Sequence, residues 1–559
     1  MSEPDPHAPA RRPSALAPFR HPIFRAVWIA SLVSNFGGLI QSVGASWMMT
    51  GIAPSPMYVA LVQASTTLPI MLLSLVAGAI ADNMDRRLVM LWAQGFMLVV
   101  SAMLSAFALL GWITPWLLLT FTFLIGVGTA FNGPAWQASV GDMVPRQDLP
   151  GAVALNSMGF NIARSTGPAI GGLIVAAGGA AAAFGFNALS YVGLVVVLAM
   201  WRPAREARLL PPEGLATAMG AGIRYVAMSP DIGRVLARAL VFGVAASAVP
   251  ALNPLVAKVV LGGGPLTYGV LLGAFGLGAV GGALLSGRLR DRLSSEALVR
   301  LCALSFGLAS VAVAFSPWLL LSMAMLAICG AGWVIALSTF NVTVQLFSPR
   351  WVVARSLALY QTAAFGGMAI GSWIWGLIAE DWEIAGALVG AALVMALCAL
   401  MGLKLRLPEL REIDLAPLRA FKPPEVAVPV EPRSGPVVVT IEYRIRNEDV
   451  LEFLNAMAER RRIRRRDGAR HWTLMRDLQD PELWLERYHT PTWIDYLRHN
   501  QRITKADADI AARVRALHSG EGPPKVHRLI ERQTGSLRAY FERGARELAD
   551  PMTDPTRSS

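Results

Sequence analysis

The sequence predicts an all-α membrane protein with twelve transmembrane helices in two six-helix parallel repeats, followed by a small α+β domain. Three observations predict this class. Apolar residues make up 54% of the chain and charged residues 16%, with a mean hydropathy of +0.47. Apolar runs of about 20 residues, the length that crosses a bilayer, follow one another between Ile23 and Leu405. Charged turns in the two halves of this region match at a constant spacing.

The internal repeat rests on matches at one offset. The turn from Gly78 to Met90 reads GAIADNMDRRLVM, and 209 residues later the turn from Gly287 to Arg300 reads GRLRDRLSSEALVR. The same offset takes Asp82 to Asp291 and the pair Phe131-Asn132 to Phe340-Asn341. Two copies related by an axis along the membrane normal form the parallel-repeat arrangement of many transporters.

Composition divides the chain into seven segments. They are a cytoplasmic tail at 1–20, an N-terminal six-helix bundle at 21–201, a cytoplasmic linker with an amphipathic helix at 202–235, a C-terminal six-helix bundle at 236–405, a Pro-rich linker at 406–435, a ferredoxin-like α+β domain at 436–545 and a tail at 546–559.

Lysine and arginine are unevenly distributed between the turns. The turns at 51–56, 111–116, 178–182, 262–267 and 380–383 have neither residue, whereas the alternate turns and both flanking tails are basic. Basic turns stay on the cytoplasmic side, so we expect both termini in the cytoplasm of a multi-pass inner-membrane protein. This asymmetry explains the net charge of +12 without a nucleic-acid partner.

The cysteines predict no redox or metal chemistry. Cys302, Cys329 and Cys398 all lie inside apolar runs, without metal-binding or disulfide spacing. The sequence also shows no nucleophile–base arrangement. We therefore expect no metal, no cofactor and no catalytic residues.

The turn at Gly78–Met90 resembles the signature of the major facilitator superfamily between its second and third spans. The resemblance implies a cytoplasmic gate in which acidic side chains meet the positive end of a neighbouring helix. The alternative is that the arginines only anchor the inner face. The gate residues that the resemblance implies, with one acid at the inner end of span four, are Gly78, Asp82, Asp85, Arg86, Arg87, Asp142, Gly287, Asp291 and Arg292.

Span five carries a second motif, GFNIARSTGPAIGG. It resembles the span-five motif of exporters in the same superfamily, in which glycines allow close helix contact and proline bends the helix. The alternative is tight packing without functional meaning. The packing residues are Gly159, Gly167, Pro168, Gly171 and Gly172. With the surrounding residues, the motif is most similar to the enterobactin-exporter branch, the transmembrane secretion effectors.

Polar side chains recur on the apolar spans and predict a central substrate cavity. The set is Asn35, Ser42, Gln63, Asn132, Trp136, Asn161, Arg164, Asn341, Gln345 and Gln361. Each could instead serve a helix–helix hydrogen bond. We expect Arg164 to be the only central charge, which favours an anionic or polyphenolic cargo. Because no acid lies mid-span, proton coupling is implied by the resemblance alone.

After the Pro-rich linker, the periodicity predicts a β-α-β-β-α-α-β order, close to the ferredoxin-like pattern. This domain resembles the antibiotic-biosynthesis-monooxygenase-like dimeric barrels, which implies a homodimer. His471, Trp472, Trp484, His489 and Trp493 are the residues that an enzyme could use, but aromatic residues on alternating strands are more often core.

The sequence thus predicts a secondary active exporter of small amphipathic molecules such as siderophores or drugs. It would be proton-coupled, would work by alternating access and would contact membrane lipid. Two alternatives stay open: a lysolipid transporter or flippase, and a transporter-like protein whose cytoplasmic domain has a sensory or oxygenase role.

Overall fold

The computed structural model describes residues 16–145, 147–202, 215–349, 351–408, 424 and 426–531. The predicted N-terminal tail up to residue 15, the linker residues 203–214 and 409–423, and the tail at 546–559 lie outside the described residues. The chain forms two compact units. The first contains Met1–Met219, Asp231–Val344 and Leu357–Glu409, and the second contains Gly220–Pro230, Gln345–Ser356 and Leu410–Ser559.

Long helices make up the first unit. Its N-terminal half has a 3-10 turn at Ala17–Arg20 and the helices α1 (Pro22–Ile52), α2 (Pro56–Asn83), α3 (Arg86–Leu109), α4 (Pro115–Met143) and α5 (Leu149–Met200). Prolines stand in the first turn of α2 and α4, where their missing N–H groups cost no hydrogen bond. The next helix is α6 (Leu215–Ala227), and its residues from Gly220 onward belong to the second unit.

The C-terminal half continues with α7 (Pro230–Ala246), α8 (Ala248–Leu255), a π-helical segment (Val256–Val260), α9 (Pro265–Arg290), α10 (Ser295–Phe315), α11 (Leu319–Leu346), α12 (Val353–Asp381) and α13 (Glu383–Met401). Within the described residues, 11 helices are long and apolar enough to cross a membrane. Helix α7 begins at Pro230, before the predicted boundary at 236, because Pro230 and Asp231 both suit a first helical turn.

Helix α5 is interrupted at Gly179. It spans 52 residues, and Gly179 has a φ of 72°, which is non-helical. Before this break, Gly171 packs against Val43 of α1; after it, Ala183 packs against Gly44 of α1. Both arms of α5 therefore lie along the same stretch of α1, so the chain reverses direction at the glycine.

Each half of the first unit has its own apolar core. In the N-terminal half, Phe24, Met90 and Leu155 belong to one buried cluster. In the C-terminal half, the Phe242 ring is surrounded by Phe306, Trp333 and Phe340, with ring centroids 6.2, 6.0 and 6.1 Å away.

The C-terminal part of the second unit is a small sheet with helices on one side. Its elements are β1 (Val437–Arg444), α14 (Val450–Arg466), β2 (Arg470–Arg476), β3 (Leu483–Thr490), α15 (Trp493–Gln501), α16 (Lys505–Ala516) and β4 (Lys525–Ile530). The strand order is β2-β3-β1-β4, and all neighbouring strands are antiparallel. Alternate residues of β1, including Val439, Ile441 and Tyr443, form the core with Phe453 and Met457 of α14.

Candidate transport site and cytoplasmic gate

The predicted cavity residues lie on six long helices. Asn35 and Ser42 are on α1, Gln63 on α2, Asn132 and Trp136 on α4, Asn161 and Arg164 on α5, Asn341 and Gln345 on α11, and Gln361 on α12. Gln345 is exposed and belongs to the second unit. Trp136 packs against the buried cluster of the N-terminal half, so its main role in this structure is core packing.

Several of these polar side chains keep their hydrogen-bonding groups available. Asn35, Gln63, Asn132 and Gln361 are half-buried, and their side chains hydrogen-bond to no other residue in the described part of the chain. Asn161 differs, because its Nδ2 donates to the Ser157 carbonyl one turn earlier at 2.8 Å. Free amides on membrane helices are unusual unless they face a partner or a polar space.

Arg164 is held by an aromatic ring. Its guanidinium carbon lies 5.9 Å from the centroid of Phe275 on α9, and the side chain is half-buried. No described carboxylate lies within ion-pair distance of it. A cation–π contact stabilises the charge by ~0.5–2 kcal/mol but does not neutralise it. The site can therefore attract an anion.

The glycine motif lets α5 approach two helices closely. A Cβ on Gly171 would lie 3.0 Å from the Ile40 Cα of α1, and one on Gly172 would lie 2.7 Å from the Pro265 carbonyl oxygen of α9. Gly167 and Gly159 face Leu39 and Trp28 in the same way, each at 3.1–3.2 Å. The Pro168 carbonyl oxygen would lie 2.6 Å from a Cβ on Gly269 of α9. Gly172 and Gly269 require small residues because they face backbone atoms, whereas Gly159 and Gly167 face side chains that can shift.

In the first half, the arginines of the predicted gate contact two neighbouring helices. Asp85 caps α3 by accepting from the Arg87 backbone N–H at 3.0 Å. Arg86 donates to Asp142 of α4 at 3.1 Å and to the Ala138 carbonyl at 3.0 Å. Arg87 reaches the last carbonyls of α5, at Leu198 (2.8 Å) and Ala199 (2.7 Å). A cation at the negative end of a helix is stabilised by its dipole.

The second half does not repeat these contacts. Asp291 and Arg292 are exposed at the end of α9, and neither forms an ion pair with another described residue. Arg290 instead donates to the Ser338 hydroxyl of α11 at 2.6 Å. Gly78 and Gly287 have open space beside them, so close packing does not explain them. Asp82 lies in α2, and its side chain is outside the described part of the structure.

Comparison with known proteins decides the class of this protein. A family model described as transmembrane secretion effector matches residues 13–534. The chain belongs to this family. Its relatives include the multidrug efflux pump Tap of Mycobacterium tuberculosis H37Rv, with 26% identity over 418 residues that cover 71% of this chain and 96% of the relative. The enterobactin exporter EntS of Escherichia coli O1:K1 is 29% identical over 361 residues, 63% of this chain and 84% of the relative.

Solved structures agree on the fold of this secretion effector. A bacterial homologue of the human lysosomal transporter spinster, in its inward-facing and occupied conformation, superposes with a TM-score of 0.57 at 12% identity, over 69% of this chain and 97% of that structure. The nucleoside transporter NupG gives a TM-score of 0.56 at 12% identity, over 68% of this chain and 98% of that structure. The effector is a multi-pass membrane transporter, and its family and relatives are transporters rather than enzymes.

One charged cluster of the effector was not anticipated from the sequence. Arg238 of α7 is fully buried, and its partner was not predicted. Arg238 pairs with Glu296 at the start of α10, which also accepts from Arg300 at 2.8 Å and from the Leu407 backbone N–H at 3.0 Å. The available signal was that Arg238, the last of the charges in α7 after Asp231 and Arg234, leads into an apolar run, and a charge at such a position implies a partner.

A buried polar cluster was also missed. Ser101 of α3 donates to Gln41 of α1 at 3.0 Å, and Asn187 of α5 donates to both residues, reaching Ser101 at 3.2 Å. All three side chains are buried. Because the three side chains hydrogen-bond to one another inside one bundle, the cluster holds helices together and is a poor cargo site.

The aromatic candidates of the C-terminal domain belong mostly to its core. Trp484 is buried in the cluster beneath the sheet, and Trp472 and Trp493 pack against it. His471 and His489 lie side by side, with ring centroids 5.4 Å apart. A search of the described residues finds no group of His, Cys, Asp and Glu that could hold a metal ion.

Proposed function

We propose that this effector exports small amphipathic molecules, such as drugs or siderophores, across the inner membrane by alternating access. The observation that carries the proposal is Arg164, a half-buried cation with no described carboxylate partner, on the same helix as the glycine motif. The two named relatives are an efflux pump and an exporter, which supports the direction of transport. The proposed cargo is anionic or polyphenolic, since its charge would complete the Arg164 site.

The proposed architecture has twelve spans in two repeats of the major facilitator type. Dividing α5 at Gly179 and treating α7 to the π segment as one span gives this count. Asn132 on α4 and Asn341 on α11, which match at the repeat offset, support the repeat. Both termini would be cytoplasmic, and a ferredoxin-like C-terminal domain would form a homodimer.

Contacts between the halves offer a basis for the alternating motion. Ser74 of α2 and Thr362 of α12 share a hydrogen bond of 2.8 Å, and Gly172 and Gly269 bring α5 and α9 together. Within the N-terminal half of the same structure, the Arg86–Asp142 pair and the Arg87 contacts would hold the cytoplasmic gate. Because the Arg86–Asp142 pair is about one-third exposed on each side, it contributes only ~0–1 kcal/mol and can open readily.

Energy for export would come from protons in this proposal. Asp142 is the acid placed to couple, since it lies at the end of α4 and already pairs with a gate arginine. Collapsing the proton gradient should then stop export of the cargo while leaving the protein in the membrane. Unchanged export after collapse would exclude proton coupling.

The test of cargo charge compares variants in a host that lacks its own efflux pumps. Arg164→Gln should lower export of an aromatic carboxylate at least tenfold, whereas Arg164→Lys, which keeps the charge, should retain most of it. Arg288→Gln, an exposed arginine on α9, is the matched control and should export normally. Equal export of the carboxylate by Arg164→Gln and wild type would refute the proposed role.

A further inference from the structure

The C-terminal domain contains a cavity, open to solvent on one side, that the transport proposal does not use. Its volume is about 400 Å³, and it lies between the inner face of β1 and the helices α14, α15 and α16. Val439, Ile441 and Ile503 form apolar walls, and Tyr443, Tyr488 and Tyr496 line it with aromatic rings. A volume of ~300–1,000 Å³ with apolar walls and a few polar groups is typical of small-molecule sites.

The charges around this cavity favour an anion. Arg460 and Arg464, which both line it, share one carboxylate, Glu486, at 2.8 and 3.4 Å. Two guanidinium groups against one carboxylate leave a surplus positive charge. Arg464 also donates to Nε2 of the buried His499 at 3.0 Å, and a histidine in that bond adds no negative charge. Arg515, an exposed residue, extends the positive lining outward.

The acids of the cavity wall are used elsewhere. Asp467 and Asp507 line the cavity, and each accepts from Arg466 at 2.8 Å. One guanidinium faces two carboxylates here, so Arg460, Arg464 and Arg466 together balance Glu486, Asp467 and Asp507. The positive surplus of the cavity lining therefore comes from Arg515 and Arg528, which form no ion pair with a described acid.

Arg466 leads from the cavity wall to segments outside the domain. Its guanidinium carbon lies 5.2 Å from the Tyr225 ring centroid, and the Tyr225 ring contacts the Trp351 ring edge-on at 5.5 Å. The guanidinium carbon of Arg502 lies over the Trp351 ring, 4.2 Å from its centroid. Tyr225 belongs to α6 and Trp351 to the connection between α11 and α12, and all these residues lie in the second unit.

We propose that this cavity is a regulatory site that binds a small aromatic anion. Binding would alter the contact between Arg466, Tyr225 and Trp351. A ligand that moves Asp467 or Asp507 lengthens or shortens their ion pairs with Arg466. The position of the Arg466 guanidinium against Tyr225 then changes. As a result, the conformational mobility of residues 220–230 and 345–356 changes. Binding at this site does not depend on the proposed export function. Any effect of binding on export rests on that function.

Binding is tested on the full-length protein in nanodiscs with 1-hydroxy-2-naphthoate, using 1-naphthol as the matched probe without a carboxylate. We expect the carboxylate to bind at least tenfold more tightly. Ala508→Trp fills the cavity and should weaken binding at least tenfold, whereas Ala512→Trp, an exposed position on the same helix outside the lining, should change it less than twofold. Equal binding of both probes, or equal loss in both variants, would overturn the site.

Coupling is read by hydrogen exchange, which does not depend on transport. The naphthoate should change exchange in residues 220–230 and 345–356 of wild type but not of Ala508→Trp. Tyr225→Ala should still bind the probe while losing the response in 345–356. Binding without any exchange response would overturn the coupling. Binding and response in a protein that exports nothing would leave this inference standing and would refute the proposed function instead.

Discussion

At the scale of the residue, one carboxylate holds together the polar centre of the C-terminal domain. Glu486 has no exposed surface and accepts from Arg460, Trp472 (3.0 Å) and Tyr443 (2.9 Å). Burial alone would raise its pKa, but the two neighbouring arginines and the donors lower the pKa of Glu486 to about 2. The side chain therefore stays ionised at physiological pH.

Replacing this carboxylate should be costly. Glu486→Gln keeps the shape but leaves two guanidinium groups without a counter-charge, and breaking a buried pair costs ~3–5 kcal/mol. We expect β1 and β3 amides of the full-length protein to exchange far faster in the variant. Glu448→Gln removes an acid that is 69% exposed, so it serves as the control and should exchange like wild type. Normal protection in Glu486→Gln would contradict this view of the core.

The buried His499 predicts a pH dependence. Burial, helped by the charge of Arg464, lowers its pKa from 6.5 to about 3. As pH falls, His499 is protonated in the unfolded chain before it is protonated in the folded protein. The contribution of neutral His499 to folding stability is therefore complete above pH 6.5 and is lost as pH falls toward 3.

A comparison with His499→Gln isolates that contribution. At ~1.4 kcal/mol per pH unit, wild type should lose about 2 kcal/mol relative to the variant between pH 6.5 and 5. The other titrating groups, including Asp467, are common to both proteins, so the difference reports mainly on His499. Hydrogen exchange in β3, corrected for the intrinsic rate, measures it; a constant difference across this range would rule out a buried neutral histidine.

At the scale of the element, the glycine motif of α5 matters through the helices that it touches. Gly172→Ala would place a methyl group 2.7 Å from the Pro265 carbonyl oxygen and 3.0 Å from the Gly269 Cα, which are backbone atoms that cannot simply rotate away. Overpacking of this kind costs ~1–3 kcal/mol. We expect a lower melting temperature and reduced export.

The same helix supplies the control for this prediction. Gly193 lies in the second arm of α5 with open space beside it, so Gly193→Ala should leave both properties unchanged. If the two alanine variants have the same melting temperature, the motif does not act by allowing close contact between α5 and α9.

The elements themselves could largely be predicted from the sequence, because their signals are local. Apolar length marks the helices, Pro56 and Pro115 mark two starts, and alternation marks β1. The partners of charges could not be predicted in this way. Glu296 follows Arg238 by 58 residues, and only the packing of α7 on α10 brings them together.

In the predicted gate, too, the residues could be predicted from the sequence but their partners could not. The charged residues of both turns were identifiable from the repeat, and in the first half Arg86 and Arg87 contact α4 and α5. In the second half, Arg290 replaces Arg292 as the residue that contacts another helix. A repeat preserves the position of a turn more faithfully than the direction of each side chain, which depends on the neighbouring helices.

At the scale of the whole molecule, the distribution of basic residues predicts an orientation that labelling can check. Cys302, Cys329 and Cys398 are all buried, so they give little background with a membrane-impermeant maleimide. Trp112→Cys, at a position that is 61% exposed in a turn without lysine or arginine, should react in intact cells. Glu448→Cys should react only after lysis, and the reverse result would invert the proposed orientation.

The reversal at Gly179 constrains how this molecule can move. A single residue connects the two arms of α5, and α1 is clasped by both arms. We expect α1 and the two arms of α5 to move together during transport, because a one-residue connection keeps both arms packed against α1. Rearrangement would then take place where this group of three helices meets its neighbours.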